Sequence, residues 1–250
     1  MSTTTLPQSA HRSRLFYSIA SITLLVLTFI GFRLFYLHLQ AYPGRPLTPP
    51  IRTLLIVHGV LMTAWMLLSI IQPLLVAGGK KRIHMTLGIF GTILAAAIVV
   101  AGYLVAVHAA RVNPPDLTLF GLNQKEFLTV PLSGVLTFGA FVFIGVWNRR
   151  RPEIHRPMMF MASMAVVSAA MGRMAALNDW YAGTWLEYWF SAFLPMLILG
   201  VVFLAAKCAL ERRFDREFAG AFGILALACV ATSLVAKTDA WVQFATFLMR

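Results

Sequence analysis

Long apolar runs alternate with short polar or Pro/Gly-rich stretches along this chain. They fall at about residues 15–38, 51–77, 84–109, 127–148, 157–177, 185–207 and 219–236. Each reaches the length of about 18 residues that reads as a transmembrane helix. The pattern predicts an all-α, polytopic transmembrane bundle of seven spans. Residues 1–14 read as a disordered cytoplasmic tail and 15–250 as a single integral membrane domain. The first run is too long for the apolar part of a cleaved signal peptide and reads as a retained anchor. In "DAWVQFATFLM", Trp241, Phe244, Ala245 and Leu248 share one helical face, which predicts an interfacial helix over 239–249.

A weak internal repeat runs through the middle of the chain. "SGVLTFGAFVFIGVWNRRRPEIHRPMMFMA" echoes "HGVLMTAWMLLSIIQPLLVAGGKKRIHMTLG". Each unit is an apolar helix, a basic loop, Ile-His and a second apolar helix. Two such hairpins suggest a four-helix pseudo-repeat core made of spans 2–5, with the other spans added around it.

Composition and charge agree with a membrane setting. The chain is 59% hydrophobic and 12% charged, against about 45–50% and 25% in ordinary soluble domains. Its mean hydropathy is +0.77. The formal net charge is +12, but the positive residues sit in loops. With the N-terminus inside, thirteen Lys and Arg fall on inner segments and six on outer ones. That asymmetry predicts N-inside and C-outside topology, with loops facing anionic lipid rather than nucleic acid. Cys208 and Cys229 should lie at different depths, which speaks against a disulfide. The chain shows no nucleophile–base–acid set, phosphate loop, HExxH motif or carboxylate-rich site.

The polar residues inside the spans are therefore the candidates for chemistry, because ionisable groups in lipid are costly and usually functional. In "VHGVLMTAWMLLSIIQ", His58, Trp65 and Gln72 recur every seven residues and share one helix face. His58 lies about 10 Å below the outer end of its helix, and Arg173 about 6 Å below the outer end of span 5. With His108 they form an expected outer cluster, in which Arg173 pairs with Asp179 or Glu187. His84 and His155 hold matching positions in the two repeat units and form an expected inner pair. Imidazoles at two levels, with Arg for propionates, suit haem b. His58 is the first candidate metal ligand, His108 its outer partner, and His84 with His155 a possible inner site. Against a clean outer pair, His58 and His108 differ in expected depth. His84 and His155 could equally cap helix starts beside lipid headgroups. The methionines of "RPMMFMASMAVVSAAMGRM" fit packing better than copper(I).

The pattern "FYLHLQ…HGVLMTAWMLLSIIQPLLV…IHMTLG…VPLSGVLTF…RRRPEIHRPMMFMA…GR" resembles a widespread group of uncharacterised bacterial multi-pass membrane proteins. The matching positions are His58, Trp65, Gln72, His84, Gly88, His155, Arg156, Met159 and Arg173, within residues 30–175. The resemblance implies a bacterial inner membrane protein. A more distant, fold-level similarity links the chain to b-type membrane cytochromes, whose paired intramembrane ligands this sequence does not reproduce. The expectation is an integral membrane protein that binds haem b and is redox-linked through its membrane histidines. Its expected partners are the lipid bilayer and a membrane redox partner or larger membrane complex. Two other classes stay open: a non-enzymatic binder or transporter of a small molecule, and an accessory or assembly subunit of a membrane complex.

Overall fold

The computed structural model describes residues 8–42, 45–47, 49–114 and 116–250. They form a helical bundle with one short antiparallel hairpin, Gln40–Tyr42 with Arg45–Pro46. The helices are α1 (Gln8–Gly31), α2 (Arg33–His38), α3 (Ile51–Ala77), α4 (Lys81–Val112), α5 (Gln124–Phe127), α6 (Thr129–Trp147), α7 (Pro152–Met171), α8 (Ala175–Asn178), α9 (Trp185–Phe190), α10 (Leu194–Glu211), α11 (Arg216–Val235) and α12 (Asp239–Leu248). Helix α1 starts at Gln8, inside the segment expected to be a tail; residues 1–7 lie outside the described residues.

Local chemistry sets several of these boundaries. Pro152 and Pro195 sit in the first turns of α7 and α10, where a missing N–H costs nothing. Asn123 and Glu126 form a capping box on α5. Asp215 caps α11 by accepting from the Phe218 N–H at 2.9 Å, and Thr238 caps α12.

Among the described residues, five helical segments are long and apolar enough to cross a membrane: 51–77, 81–112, 124–147, 185–211 and 216–235. Two of the seven expected spans differ from a straight crossing. The first run breaks at Phe32, so the apolar part of α1, Leu15–Gly31, is shorter than a full span. The fifth run, expected to continue to 177, stops at Met171 and turns by 108° into α8. The reason is Asn178. Its Nδ2 donates to the Met171 and Met174 carbonyls at 2.9 and 2.7 Å, satisfying a helix end that would otherwise have to continue. Taken as one bent crossing, this segment brings the number to six.

Helices α3, α4, α6 and α7 form a ring in that order, with α4 and α7 diagonal to each other. Helix α1 packs on α3 and α7, α10 on α1 and α7, and α11 on α6 and α7. Helix α7 is thus the central post, and its face carries Met161, Met164 and Ala162 with no exposed surface. The methionines fill the core, as flexible thioethers do. Helix α1 can cross α7 closely because residue 31 is glycine: a Cβ there would stand 2.2 Å from the Ala170 carbonyl oxygen. The outward surface is apolar, with Leu136, Phe143 and Leu227 about two-thirds exposed or more, as a lipid-facing surface requires. Both cysteines carry free thiols.

The turns 78–80, 148–151 and 212–215 gather at one end, called the basic end below. Helix α12 docks at the opposite end. There the Trp241 indole donates to the Lys125 carbonyl at 2.9 Å, and Arg111 donates to the Leu248 carbonyl at 2.8 Å.

Candidate functional site

His84 is the fourth residue of α4 and His155 the fourth of α7. Because α4 and α7 face each other across the ring, the two imidazoles meet at the basic end. Their ring centres are 6.4 Å apart and their planes perpendicular. The His155 Nδ1 donates to the Gly145 carbonyl at the end of α6, at 2.8 Å. A carbonyl can only accept, so this bond fixes the tautomer and leaves Nε2 with its lone pair. The Gln72 backbone, near the end of α3, lies beside the His84 ring. The His84 Nδ1 is left buried with no partner, and so is the Gln72 Oε1. An unpaired buried polar group costs about 1–3 kcal/mol, so this corner of the fold is incomplete in hydrogen bonding.

Among the described residues no group of three or more His, Cys, Asp or Glu could hold a metal ion, so the pair offers two ligands only. Two imidazole–metal bonds of about 2.0–2.1 Å, with half a ring added at each side, place ring centres about 6 Å apart. Ligands projecting from facing helices are the usual way bundles hold metals and cofactors. Arg156 bears electrostatically on both rings, and Arg82, Arg149, Arg150 and Arg151 lie in the neighbouring turns. A cavity of about 10 Å³ lies between α6, α7 and α11 and a groove lies against α1 and α10; neither adjoins the pair.

The expected outer cluster is dispersed. His58 lies against α4 at Gly102, where a Cβ would approach its ring to 3.4 Å. His108 is six residues further along α4, about 9 Å at the helical rise, and its Nδ1 donates to the Leu104 carbonyl at 2.8 Å. The two therefore stand at different levels. The His58 Nδ1 is buried without a partner, yet no second imidazole faces it among the described residues. Arg173 is outside α7, exposed, in the turn after Gly172. It donates to the Ala169 carbonyl at 2.7 Å and lies 4.4 Å over the Phe32 ring. Glu187 instead accepts from the Gly183 N–H at 2.7 Å.

The seven-residue stripe on α3 also divides. His58 belongs to the opposite end and Gln72 to the His84 site. Trp65 is packed at the centre, its indole donating to the Ser163 hydroxyl at 3.1 Å and its ring 4.9 Å from that of Phe138.

One polar group escapes a loop-by-loop reading. Lys207 counts as an inner-loop cation in sequence, but only 2% of its side chain is exposed. It pairs with Glu211 and with Asp215 at 3.1 Å, and lies 5.7 and 5.6 Å from the Phe16 and Tyr17 ring centres. The signal available in sequence was the Lys207/Glu211 i, i+4 spacing beside a capping Asp.

No family model, curated protein or solved structure matches the chain.

Proposed function

We propose that this chain is a redox-linked integral membrane protein whose four-helix core ligates haem b between His84 and His155. The observation that supports it is the diagonal imidazole pair: one ring with its tautomer set by Gly145, the other with a buried, unpartnered Nδ1. Neutral imidazoles are the axial ligands of b-type haem, and arginines at the rim match its propionates. His58, His108 and Arg173 are assigned no ligand role in this reading.

The topology that goes with it has seven crossings, counting α1 as a short one and α7–α8 as a bent one. The basic end faces the cytoplasm of a bacterial inner membrane, with the N-terminus inside and the C-terminus outside. The two hairpins α3–α4 and α6–α7 are then the halves of the pseudo-repeat. A single haem near one face calls for a membrane redox partner on that face rather than for electron transfer across the whole bilayer.

The test is an absorption spectrum of the detergent-purified protein, as isolated and after dithionite. Haem is quantified in alkaline pyridine and total metals by mass spectrometry. One haem per chain, lost in both His84→Ala and His155→Ala, is the expected result. Stoichiometric metal without haem would keep the ligand pair and replace the cofactor. A colourless, metal-free protein after expression with ample haem would overturn the reading and favour a small-molecule binder or an accessory subunit.

A further inference from the structure

The surface between α1 and α10 carries a second site, independent of the histidine pair. A groove of about 400 Å³ runs there, within the range of about 300–1,000 Å³ of small-molecule sites. Its floor is made by Phe16 and Phe203, whose rings stand 6.3 Å apart and perpendicular. The trough exists because Ala20 and Ala206 carry only methyl groups, and Ile19 and Leu210 form its rims. Ile19 and Leu210 are 63% and 45% exposed, so the groove opens on the lipid-facing side.

What lies at the mouth distinguishes this groove from the rest of the apolar surface. Helix α10 ends at Glu211, and the exposed Arg212 and Arg213 follow directly after Leu210's turn. The acids nearby are engaged: Glu211 and Asp215 are paired with the buried Lys207, and Glu211 Oε2 also lies 3.5 Å from Nε of Arg213, whose exposed guanidinium keeps its outer N–H groups towards solvent. An apolar channel whose rim residue Leu210 is followed by two exposed arginines, Arg212 and Arg213, matches one amphiphile in charge and shape. Basic pockets between transmembrane helices at the cytoplasmic face are typical seats for anionic lipid headgroups.

The geometry points to a site for one anionic phospholipid, with an acyl chain between α1 and α10 and its phosphate at Arg212 and Arg213. The chain covers Phe16 and Phe203, and the headgroup offsets positive charge crowded at the basic end. A zwitterionic lipid with the same chains fills the groove but lacks the net charge.

The experiment is native mass spectrometry of the full chain in mild detergent, titrated with phosphatidylglycerol and with phosphatidylcholine of identical acyl chains. The expected result is one phosphatidylglycerol retained about tenfold more strongly than phosphatidylcholine, given two arginines at the headgroup. Arg212→Glu with Arg213→Glu should erase that preference. Leu210→Trp, at an already exposed rim, should cut retention of both lipids about tenfold while the thermal unfolding temperature stays unchanged. Ala206→Trp should do the same from inside the trough. Equal retention of the two lipids by the unaltered protein would remove the headgroup site. Phosphatidylglycerol binding untouched by both tryptophan variants would remove the groove, leaving only surface attraction.

Discussion

At the basic end of the bundle, charged and imidazole side chains of different helices meet one another, besides the His155 bond to the Gly145 carbonyl; at the opposite end several meet backbone carbonyls. His84 faces His155, and Lys207 holds Glu211 and Asp215. At the other end, His108 is bonded to Leu104, Arg173 to Ala169 and Arg111 to Leu248. The difference follows from chain geometry. Short turns at the basic end bring helix starts and ends into register, so side chains of different helices converge at one level. The opposite end is built from long connections, the bent α7–α8 segment and α12. Its polar side chains are spread over several levels and spent on closing helix termini. Convergent side chains can bind a third body, whereas terminus-capping ones are already used.

Several measurements would break or sharpen this contrast. The largest effect is expected in the haem spectrum, where His155→Ala should abolish the signal and His58→Ala should leave it essentially intact. Equal losses would dissolve the distinction between the ends. Next comes stability. Lys207→Met removes the buried cation between Glu211 and Asp215 and leaves the exposed Arg213 beside Glu211; unfolding in detergent should become easier by about 3 kcal/mol. A change below about 1 kcal/mol would mean that the carboxylates reach water, as exposed pairs do. Gly31→Ala, at the opposite end, forces α1 off the Ala170 carbonyl and should cost about 1–3 kcal/mol. The smallest effect is expected for Arg173→Ala, which removes an exposed cation–π contact worth about 0.5–1 kcal/mol. Calorimetry or urea titration of that variant should show a midpoint close to the parent protein's. A loss like that of Lys207→Met would place Arg173 in a buried network after all.

Much of the helix content could be read from hydrophobicity alone. The runs at 51–77 and 219–236 reappear almost unchanged as α3 and α11, and α12 appears where the amphipathic tail predicts it. These elements are local: apolar length and capping residues such as Asp215 and Thr238 decide them. The errors fall where a distant residue intervenes. The fifth run looks continuous through Gly172, Arg173 and Met174, and only Asn178 folding back on the Met171 carbonyl ends it. Arg173 is therefore expected inside a straight helix, whereas it stands in the bend between α7 and α8.

The same division holds for the candidate site. Periodicity correctly puts His58, Trp65 and Gln72 on one face of α3, but a face is not a site. Their separation of seven residues is about 10 Å along the axis, enough for each to answer to a different neighbour. His84 and His155 are 71 positions apart in the chain, and each looks like a rim residue beside a basic loop. Sequence by itself determined that this protein is helical, rich in membrane-length segments and sparing with ionisable groups inside them. The tertiary structure decided which of those groups face each other, because pairing across a bundle depends on which helices stand diagonally and at what level their turns end. No local pattern encodes either.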